Sequence, residues 1–247
     1  MTWAIVMGAQ NELNSRAILQ KKAVILFAIL LSLAALSINS ARASTQISII
    51  TVADSYVDIS YPDVNYGDSI FLYTHNWNHT EDGIGSIAYT WLKFDISEIP
   101  SQANIDSIIL RMHTAMWGTR SVNPVGVFIC DDNSWTESSI TWNNKPSLSS
   151  INSLQTINVG DPDITYDFNL TYPLKGKTIL SLVLQTVDPA KQPAVFNSKD
   201  LTNGPTLIIN YSTPVDTGLI AIVGIGLIVI VAVLGAFIFR LKKKGDK

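Results

Sequence analysis

The sequence predicts an all-β protein, an antiparallel two-sheet β-sandwich that lies between two apolar segments. About eight or nine short runs of alternating apolar and polar residues recur between residues 44 and 216, separated by Gly, Pro, Asn and Asp. No stretch of that region keeps a helical period for more than about two turns. With 173 residues, the region is long enough for one well-cored domain. The whole chain is 47% hydrophobic and 15% charged, a composition that excludes a disordered protein.

Each strand is predicted from the two-residue period of side chains along extended backbone. In one run, Leu92 and Phe94 share a face and Trp91 lies on the opposite face. The predicted strands are Ile47–Val52, Ser69–Thr74, Tyr89–Asp95, Ile105–His113, Val125–Ile129, Ile164–Phe168, Thr178–Thr186 and Thr206–Tyr211.

The first apolar segment, Ala23–Leu36, follows basic residues and has 14 residues. It is short for a bilayer span but typical of a signal-peptide core, and Ala41 and Ala43 stand where a signal peptidase requires small side chains. We therefore expect residues 1–43 to be a signal peptide with a long n-region. An uncleaved anchor helix is the alternative.

The second apolar segment, Gly218–Phe239, has 22 residues without a charge. At about 1.5 Å per residue it would span roughly 33 Å, which matches the hydrocarbon core of a bilayer. Residues 217–239 are thus predicted to be a transmembrane helix. Four of the five residues Arg240–Lys244 are basic, so we expect residues 240–247 to be a cytoplasmic tail and residues 44–216 to face outward at the cell surface.

Charge is distributed unevenly along the chain. Residues 44–216 hold eight basic and 18 acidic side chains, a net charge of −10, although the whole chain carries only −3. An acidic outer domain excludes nucleic acid as a partner, because nucleic acid requires a basic face. Neutral sugars and Ca²⁺ remain compatible with it. Cys130 is the only cysteine, so no intrachain disulfide can form.

No arrangement of residues in the sequence indicates catalysis. The chain has no G-x-S-x-G elbow and no H-E-x-x-H pair, and His75, His79 and His113 are isolated. We expect His75 and His79 to be solvated loop residues. The protein is therefore predicted not to be an enzyme, and a hydrolase with two facing carboxylates remains an alternative.

Sugar recognition requires flat aromatic faces and polar groups that bind hydroxyls. Trp77 and Trp117 fall in the predicted loops His75–Ser86 and Ala115–Asn123, where binding residues commonly lie. They are the predicted stacking residues. Their predicted polar neighbours are Tyr73, His79, Arg111 and Arg120.

Five blocks of sequence follow one another in a fixed order. The fourth block reads WTESSITWNNKP and is the most specific. Together the blocks resemble the DNRLRE-type domain of disaggregatase-related surface proteins, also classed as carbohydrate-binding module family 96, over Val52–Tyr211. The chain departs from the family at Asp200, where glutamate is common. The blocks are Ala53–Gly67, Trp91–Pro100, Ile105–Met112, Trp135–Pro146 and Phe196–Tyr211.

This resemblance implies a β-sandwich of jelly-roll type and a non-catalytic domain that binds carbohydrate. Members are often appended to secreted polysaccharide-active enzymes or cell-surface proteins, and some bind acidic polysaccharides such as alginate. Trp91, Trp135 and Trp142 belong to these blocks, and we expect them to pack in the core or at the edge of the sandwich. No cofactor is required, and jelly-roll sugar modules often hold a structural Ca²⁺, for which Asp54 and Asp200 are the candidate ligands.

The predicted function is a single-pass membrane-anchored protein whose domain binds a polysaccharide or a glycan of the cell envelope. The alternative is a structural or adhesive surface module that binds a protein. Three N-glycosylation sequons would be used only in a host with that machinery; they begin at Asn78, Asn169 and Asn210.

Overall fold

A computed structural model describes residues 18, 22, 44–77, 86–118, 121–174, 176–188 and 193–214. Ile18 and Lys22 are helical, and residues 44–214 form one compact unit built from strands. The strands described are β1 (Ser44–Ile50), β2 (Ala53–Asp58), β3 (Phe71–Trp77), β4 (Ser86–Asp95), β5 (Asn104–His113), β6 (Asn123–Cys130), β7 (Gln155–Val159), β8 (Thr165–Leu170), β9 (Ile179–Thr186), β10 (Ala194–Asn197) and β11 (Thr206–Ser212).

These strands form two antiparallel sheets, which confirms the predicted all-β class and two-sheet arrangement. The smaller sheet has the order β1-β11-β5-β8. The larger sheet has the order β10-β3-β4-β9-β6-β7, and β2 pairs with β4 off that path. An isolated bridge between Thr114 and Phe196 links the end of β5 to β10.

Three strands were not predicted, and one predicted loop is wrong. Strand β2 is buried on both faces for most of its length and so lacks an alternating pattern, whereas β7 and β10 have only five and four residues. Strand β3 continues to Trp77, so His75 and Trp77 belong to a strand and not to a loop. His75 is also buried, and the prediction that it is solvated is wrong.

The main core lies between the two sheets. Leu92 and Phe94 of β4 meet Leu110 and Phe168 of the smaller sheet, and all four are fully buried. This packing follows from the alternation along each strand, because the side chains of every second residue point inward.

A second core lies on the outer face of the larger sheet, beneath the covering loop, residues 131–154. Trp91 of β4 packs there with Trp135 and Ile140 of that loop. Their burial confirms the expected core role of Trp91 and Trp135, while Trp142 packs at the margin and stays half-buried. The most specific of the five sequence blocks, Trp135–Pro146, therefore packs over the outer face of the larger sheet.

Strand pairing assigns each segment to one end of the domain. Ser44, the first residue of β1, pairs with Ser212, the last residue of β11, and Ser212 pairs with Asn104. The first and last strands of the domain therefore begin and end at the same end of the smaller sheet, here called the linker end. Strand β5 runs from Asn104 to the opposite, distal end, where the chain leads on to Trp117.

Among the described residues, no helix is both long and apolar enough to cross a bilayer. The predicted signal peptide, apart from Ile18 and Lys22, and the predicted spanning segment at 217–239 lie outside those residues.

Candidate functional site

An aromatic row lies along one face of β3. Its members are at alternate positions, so their side chains point the same way: Phe71, Tyr73, His75 and Trp77. The Trp77 ring stacks on His75 with centroids 4.8 Å apart, and Trp117 meets Phe71 edge-on at 4.9 Å. Trp117 is 53% exposed, whereas Trp77 is half-buried. Both predicted stacking residues are therefore part of one surface, because Trp77 is a member of the aromatic row and Trp117 contacts that row through Phe71.

A tyrosine cluster adjoins this row and consists of Tyr56, Tyr66 and Tyr73. Tyr56 stacks on Tyr66 with centroids 4.1 Å apart and an interplanar angle of 16°, and it meets Tyr73 at 5.0 Å. All three rings are half-buried. Their phenol groups make no hydrogen bond to any part of the chain that the structure describes.

The position of Tyr66 depends on its two neighbours. The Asn65 side-chain amide donates hydrogen bonds to the carbonyls of Glu137 and Ile140, both at 2.8 Å, and accepts one from the Gly67 N–H at 3.2 Å. A Cβ on Gly67 would lie 2.2 Å from the Glu137 carbonyl oxygen, so only glycine fits there. The loop before β3 is thereby docked on the covering loop.

A carboxylate lies beside the tyrosine cluster. Asp58 Oδ1 accepts hydrogen bonds from the Ser60 N–H at 2.8 Å and from Ser86 Oγ at 3.2 Å. Burial raises the pKa of Tyr56 and of Tyr66, and the nearby Asp58 carboxylate raises both further. The phenols thus stay protonated and can donate hydrogen bonds.

Ser86, His75 and Asp58 do not form a catalytic triad. Ser86 Oγ and Asp58 Oδ2 both approach the same ring nitrogen, His75 Nε2, at 2.8 and 4.0 Å. His75 Nδ1 is buried without a partner in the described structure. A triad requires the carboxylate on the nitrogen opposite the serine, so these three residues are not placed as a triad. Burial lowers the pKa of His75 against the opposing effect of Asp58.

The predicted polar neighbours are only partly brought together. Tyr73 joins the row and the cluster, but Arg111 lies on β5, where its guanidinium donates two hydrogen bonds to Asp167 at 2.7 and 2.8 Å. His79 and Arg120 lie outside the described residues.

Asp54 and Asp200, the predicted calcium ligands, lie near each other around Lys199. Asp54 is fully buried, and its Oδ2 accepts a hydrogen bond from the Lys199 N–H at 2.7 Å. The Lys199 ammonium is 2.8 Å from Glu137 Oε1 and 3.2 Å from Asp200 Oδ1. Burial, more than any charge, raises the pKa of Asp54 to about 6.

This cluster does not fit a calcium ion as it stands. The Lys199 ammonium already supplies the positive charge between Glu137 and Asp200, and an ion there would have to displace it. The described residues contain no group of three or more His, Cys, Asp or Glu side chains placed to hold a metal ion. Calcium ligation by Asp54 and Asp200 stays a prediction.

The sequons differ in their surroundings. Asn169 is exposed on β8, at the edge of the smaller sheet. The Asn210 amide nitrogen donates to Ser107 Oγ at 2.7 Å and is therefore engaged. Asn78 lies outside the described residues.

Three residues of the site were not predicted from the sequence. They are Tyr56, Tyr66 and Asp58, which lie on β2 and on the loop that follows it. The aromatic residues at every second position from 71 to 77 are a visible signal, but nothing in the sequence indicates that Tyr66 folds back onto Tyr56.

Two comparisons with known proteins bear on this domain. A 200-residue stretch is 26% identical to a gellan lyase from a Bacillus species, a match that covers 76% of this chain but only 8% of that enzyme. The model of carbohydrate-binding module family 96 matches residues 45–211, which is the unit of residues 44–214 apart from one residue at its start and three at its end. The chain belongs to carbohydrate-binding module family 96, and its sandwich is a carbohydrate-binding domain.

Proposed function

We propose that the protein is a single-pass, membrane-anchored, non-catalytic surface protein that binds a glycan across the aromatic row and the tyrosine cluster. The observation that carries the proposal is the aromatic row on β3, in which Phe71, Tyr73 and Trp77 are half-buried. The row continues into three phenols that have no hydrogen-bond partner among the described residues. Pyranose rings stack their C–H faces on aromatic rings, and their hydroxyls would bond the phenols and the Asp58 carboxylate.

Charge at this surface favours a neutral glycan over an acidic one. Asp58 places a carboxylate beside the rings, where it would repel a uronate. Three basic side chains elsewhere in the described domain are paired with acids: Arg111 with Asp167, Lys177 with Asp131 and Lys199 with Glu137. A neutral polysaccharide or envelope glycan is therefore the proposed ligand.

Membrane anchoring is proposed from the sequence, through the apolar, charge-flanked segment Gly218–Phe239. Fractionation of cells that express a tagged protein tests this part. Recovery in the membrane fraction and resistance to carbonate extraction are expected, and release of the full chain by carbonate would contradict anchoring.

Glycan binding is tested with full-length protein in detergent micelles on an array of neutral and acidic polysaccharides. Trp117→Ala is the informative variant because Trp117 is exposed and its ring contact is with Phe71. We expect about tenfold weaker binding at an unchanged Tm, since truncating an aromatic contact residue typically costs more than 1 kcal/mol of binding.

Met116→Ala is the matched control, because Met116 is the adjacent residue and is 75% exposed. Equal losses in both variants would contradict a stacking role for Trp117. A folded protein that binds no glycan would overturn the proposal and favour the alternative, a structural or adhesive module that binds a protein.

A further inference from the structure

Strand β1 lies at an open edge of the smaller sheet. It pairs with β11 on one side, and among the described strands it has no partner on the other side. Its sequence, STQISII, contains no charged residue, no proline and no glycine, and its register with β11 has no bulge. Charged side chains, prolines, bulges and short length are the features that commonly prevent an edge strand from pairing with another chain. Strand β1 has none of them.

The other strands at the ends of the two sheet orders differ from β1. Strand β8 carries Asp167, which pairs with Arg111, and β7 and β10 have only five and four residues. Residues 44–216 hold eight basic and 18 acidic side chains, so two copies of this domain repel each other through their net charge. An uncharged edge strand is a place where two copies can nevertheless approach.

Alternate main-chain groups of β1 point away from β11. The register that pairs Ile50 with Thr206 continues to Thr51, whose N–H donates to the Pro205 carbonyl at 3.3 Å. Hydrogen-bonded and non-hydrogen-bonded pairs alternate along an antiparallel ladder, so every second residue back from Thr51 bonds to β11. The N–H and C=O groups of the residues between them face the open edge, and these residues include Gln46, Ser48 and Ile50.

The side chains of β1 are incompletely covered as well. Ile47 and Ile49 pack against the main core but are only half-buried. On the other face, Ile50 is 73% exposed and Ser48 is exposed. A strand added at this edge would therefore cover more of both half-buried isoleucines, in addition to pairing the free main-chain groups.

These free groups are arranged symmetrically about Ser48. When a second copy of β1 runs antiparallel with Ser48 opposite Ser48, Gln46 of each copy lies opposite Ile50 of the other. Each of these pairs is a hydrogen-bonded pair, in which two residues exchange two N–H···O bonds. Ile47 of each copy then lies opposite Ile49 of the other, in a non-hydrogen-bonded pair whose side chains are close together. The edge is therefore complementary to itself.

We propose that two copies of this chain pair antiparallel through β1, with Ser48 at the two-fold axis, and join their smaller sheets into one continuous sheet. The pairing joins only residues 46–50 of each copy, so the interface is small and the affinity of one pair is weak. Copies displayed together on a membrane bind through many such pairs at once, and the avidity of the surface exceeds the affinity of one pair.

The direction of the pairing determines where the anchors of the two copies lie, and this part rests on the proposed membrane anchoring. Strand β1 begins at the linker end and runs away from it. Antiparallel pairing therefore places the linker ends of the two copies at opposite ends of the joined sheet. This arrangement suits copies on two facing membranes and not neighbours in one membrane.

The test measures self-association of full-length protein in detergent micelles by sedimentation equilibrium. We expect a reversible dimer for the wild type. Ser48→Lys and Ser48→Glu each place like charges opposite each other and should weaken self-association by about fivefold. An equimolar mixture of the two variants should recover it, because opposite charges then meet. Asn169→Lys is the control, since Asn169 is exposed on β8, the other edge of the same sheet. Ser48 is exposed, so its variants should keep the wild-type Tm.

A cysteine variant tests the register. Ser48→Cys should form a disulfide between copies under mild oxidation, because the Cα atoms of a hydrogen-bonded pair lie about 5.5 Å apart, within disulfide range. Thr45→Cys is the control, since in this register the two Thr45 residues lie six positions apart along the ladder, about 20 Å. The native Cys130 is buried. Equal cross-linking of the two variants, a monomeric wild type, or no recovery in the charge mixture would each overturn the proposal.

Proteoliposomes test the arrangement across two membranes. Vesicles that carry the wild type should cluster, and vesicles that carry Ser48→Lys should cluster less. Dimers in micelles without clustering of vesicles would overturn the facing-membrane arrangement. Release of the full chain by carbonate would overturn the proposed anchoring, and with it that arrangement, but not the pairing measured in micelles.

Discussion

The ring of Tyr66 lies nearly parallel to that of Tyr56, with centroids 4.1 Å apart. Tyr56 belongs to β2, whereas Tyr66 belongs to the loop that leads to β3. The stack therefore joins a sheet residue to a loop residue, and the loop is held by Asn65. This makes the geometry of the proposed binding surface depend on contacts with the covering loop.

Asn65→Ala should lower both stability and glycan affinity. The change leaves the carbonyls of Glu137 and Ile140 and the Gly67 N–H without their partner. We expect a loss of about 2–3 kcal/mol in the free energy of unfolding, measured by urea denaturation, because these groups are partly buried. Asn152→Ala, at an exposed loop position, is the control. A wild-type midpoint for Asn65→Ala would contradict this anchoring role.

Gly67→Ala should destabilise the same loop by a different route. Its new methyl group would overlap the Glu137 carbonyl oxygen, which is main chain and cannot rotate away. A loss of about 1–3 kcal/mol is expected. Gly176→Ala is unsuitable as a control because Gly176 has a φ of +77°, although nothing lies near its added Cβ. The exposed substitution Ser138→Ala in the covering loop serves instead. An unchanged Tm in Gly67→Ala would show that the two loops separate readily.

Asp54 should make the domain less stable as pH rises from about 4 to about 6. The folded-state pKa is about 6 and the unfolded value is 3.8, so the folded state binds more protons in this interval. Stability therefore falls with rising pH, by up to about 3 kcal/mol once Asp54 is ionised. The charged groups that act on Asp54 are Glu137, Lys199 and Asp200.

Asp54→Asn removes this ionisation and should flatten the pH dependence of Tm over that interval. Asp106→Asn, at an exposed position of β5, is the matched control and should retain the slope. Identical profiles for wild type and Asp54→Asn would rule out a titrating Asp54.

Lys199 should make stability insensitive to chelator. Because its ammonium lies between Glu137 and Asp200, we expect the same Tm in EDTA and in millimolar CaCl₂. Lys199→Met leaves two carboxylates near Asp54 without a cation and should lower the Tm. Lys93 is unsuitable for comparison, since its ammonium donates to the carbonyls of Asn133 and Trp135. A drop in wild-type Tm on adding EDTA would instead support the predicted calcium site.

Most of the fold could be predicted from the sequence, because a strand with one buried face shows a direct alternation of apolar and polar residues. Leu92 and Phe94 point into the main core and Trp91 away from it, as their alternation indicates. Strand β2 was missed since Ala53, Asp54 and Ser55 are consecutively buried, which the second core beneath the covering loop explains.

Only part of the candidate site could be predicted from the sequence. Trp117 is predicted to be a stacking residue in the loop after β5, and it lies after β5 with 53% of its surface exposed. The position of Arg111 opposite Asp167 depends on the pairing of β5 with β8, which are separated by more than 50 residues and whose register no local pattern determines. The stack of Tyr56 and Tyr66 likewise depends on a loop conformation fixed by partners more than 70 residues away.

The central place of β11 bears on how the domain would carry a mechanical load. Seven residue pairs join β11 to β1 on one side, and β5 flanks it on the other. In a protein tethered through its C-terminal link and pulled by a captured glycan at the distal end, tension runs along β11. The flanking ladders would then be loaded in shear, so that their hydrogen bonds bear the force together and not one after another.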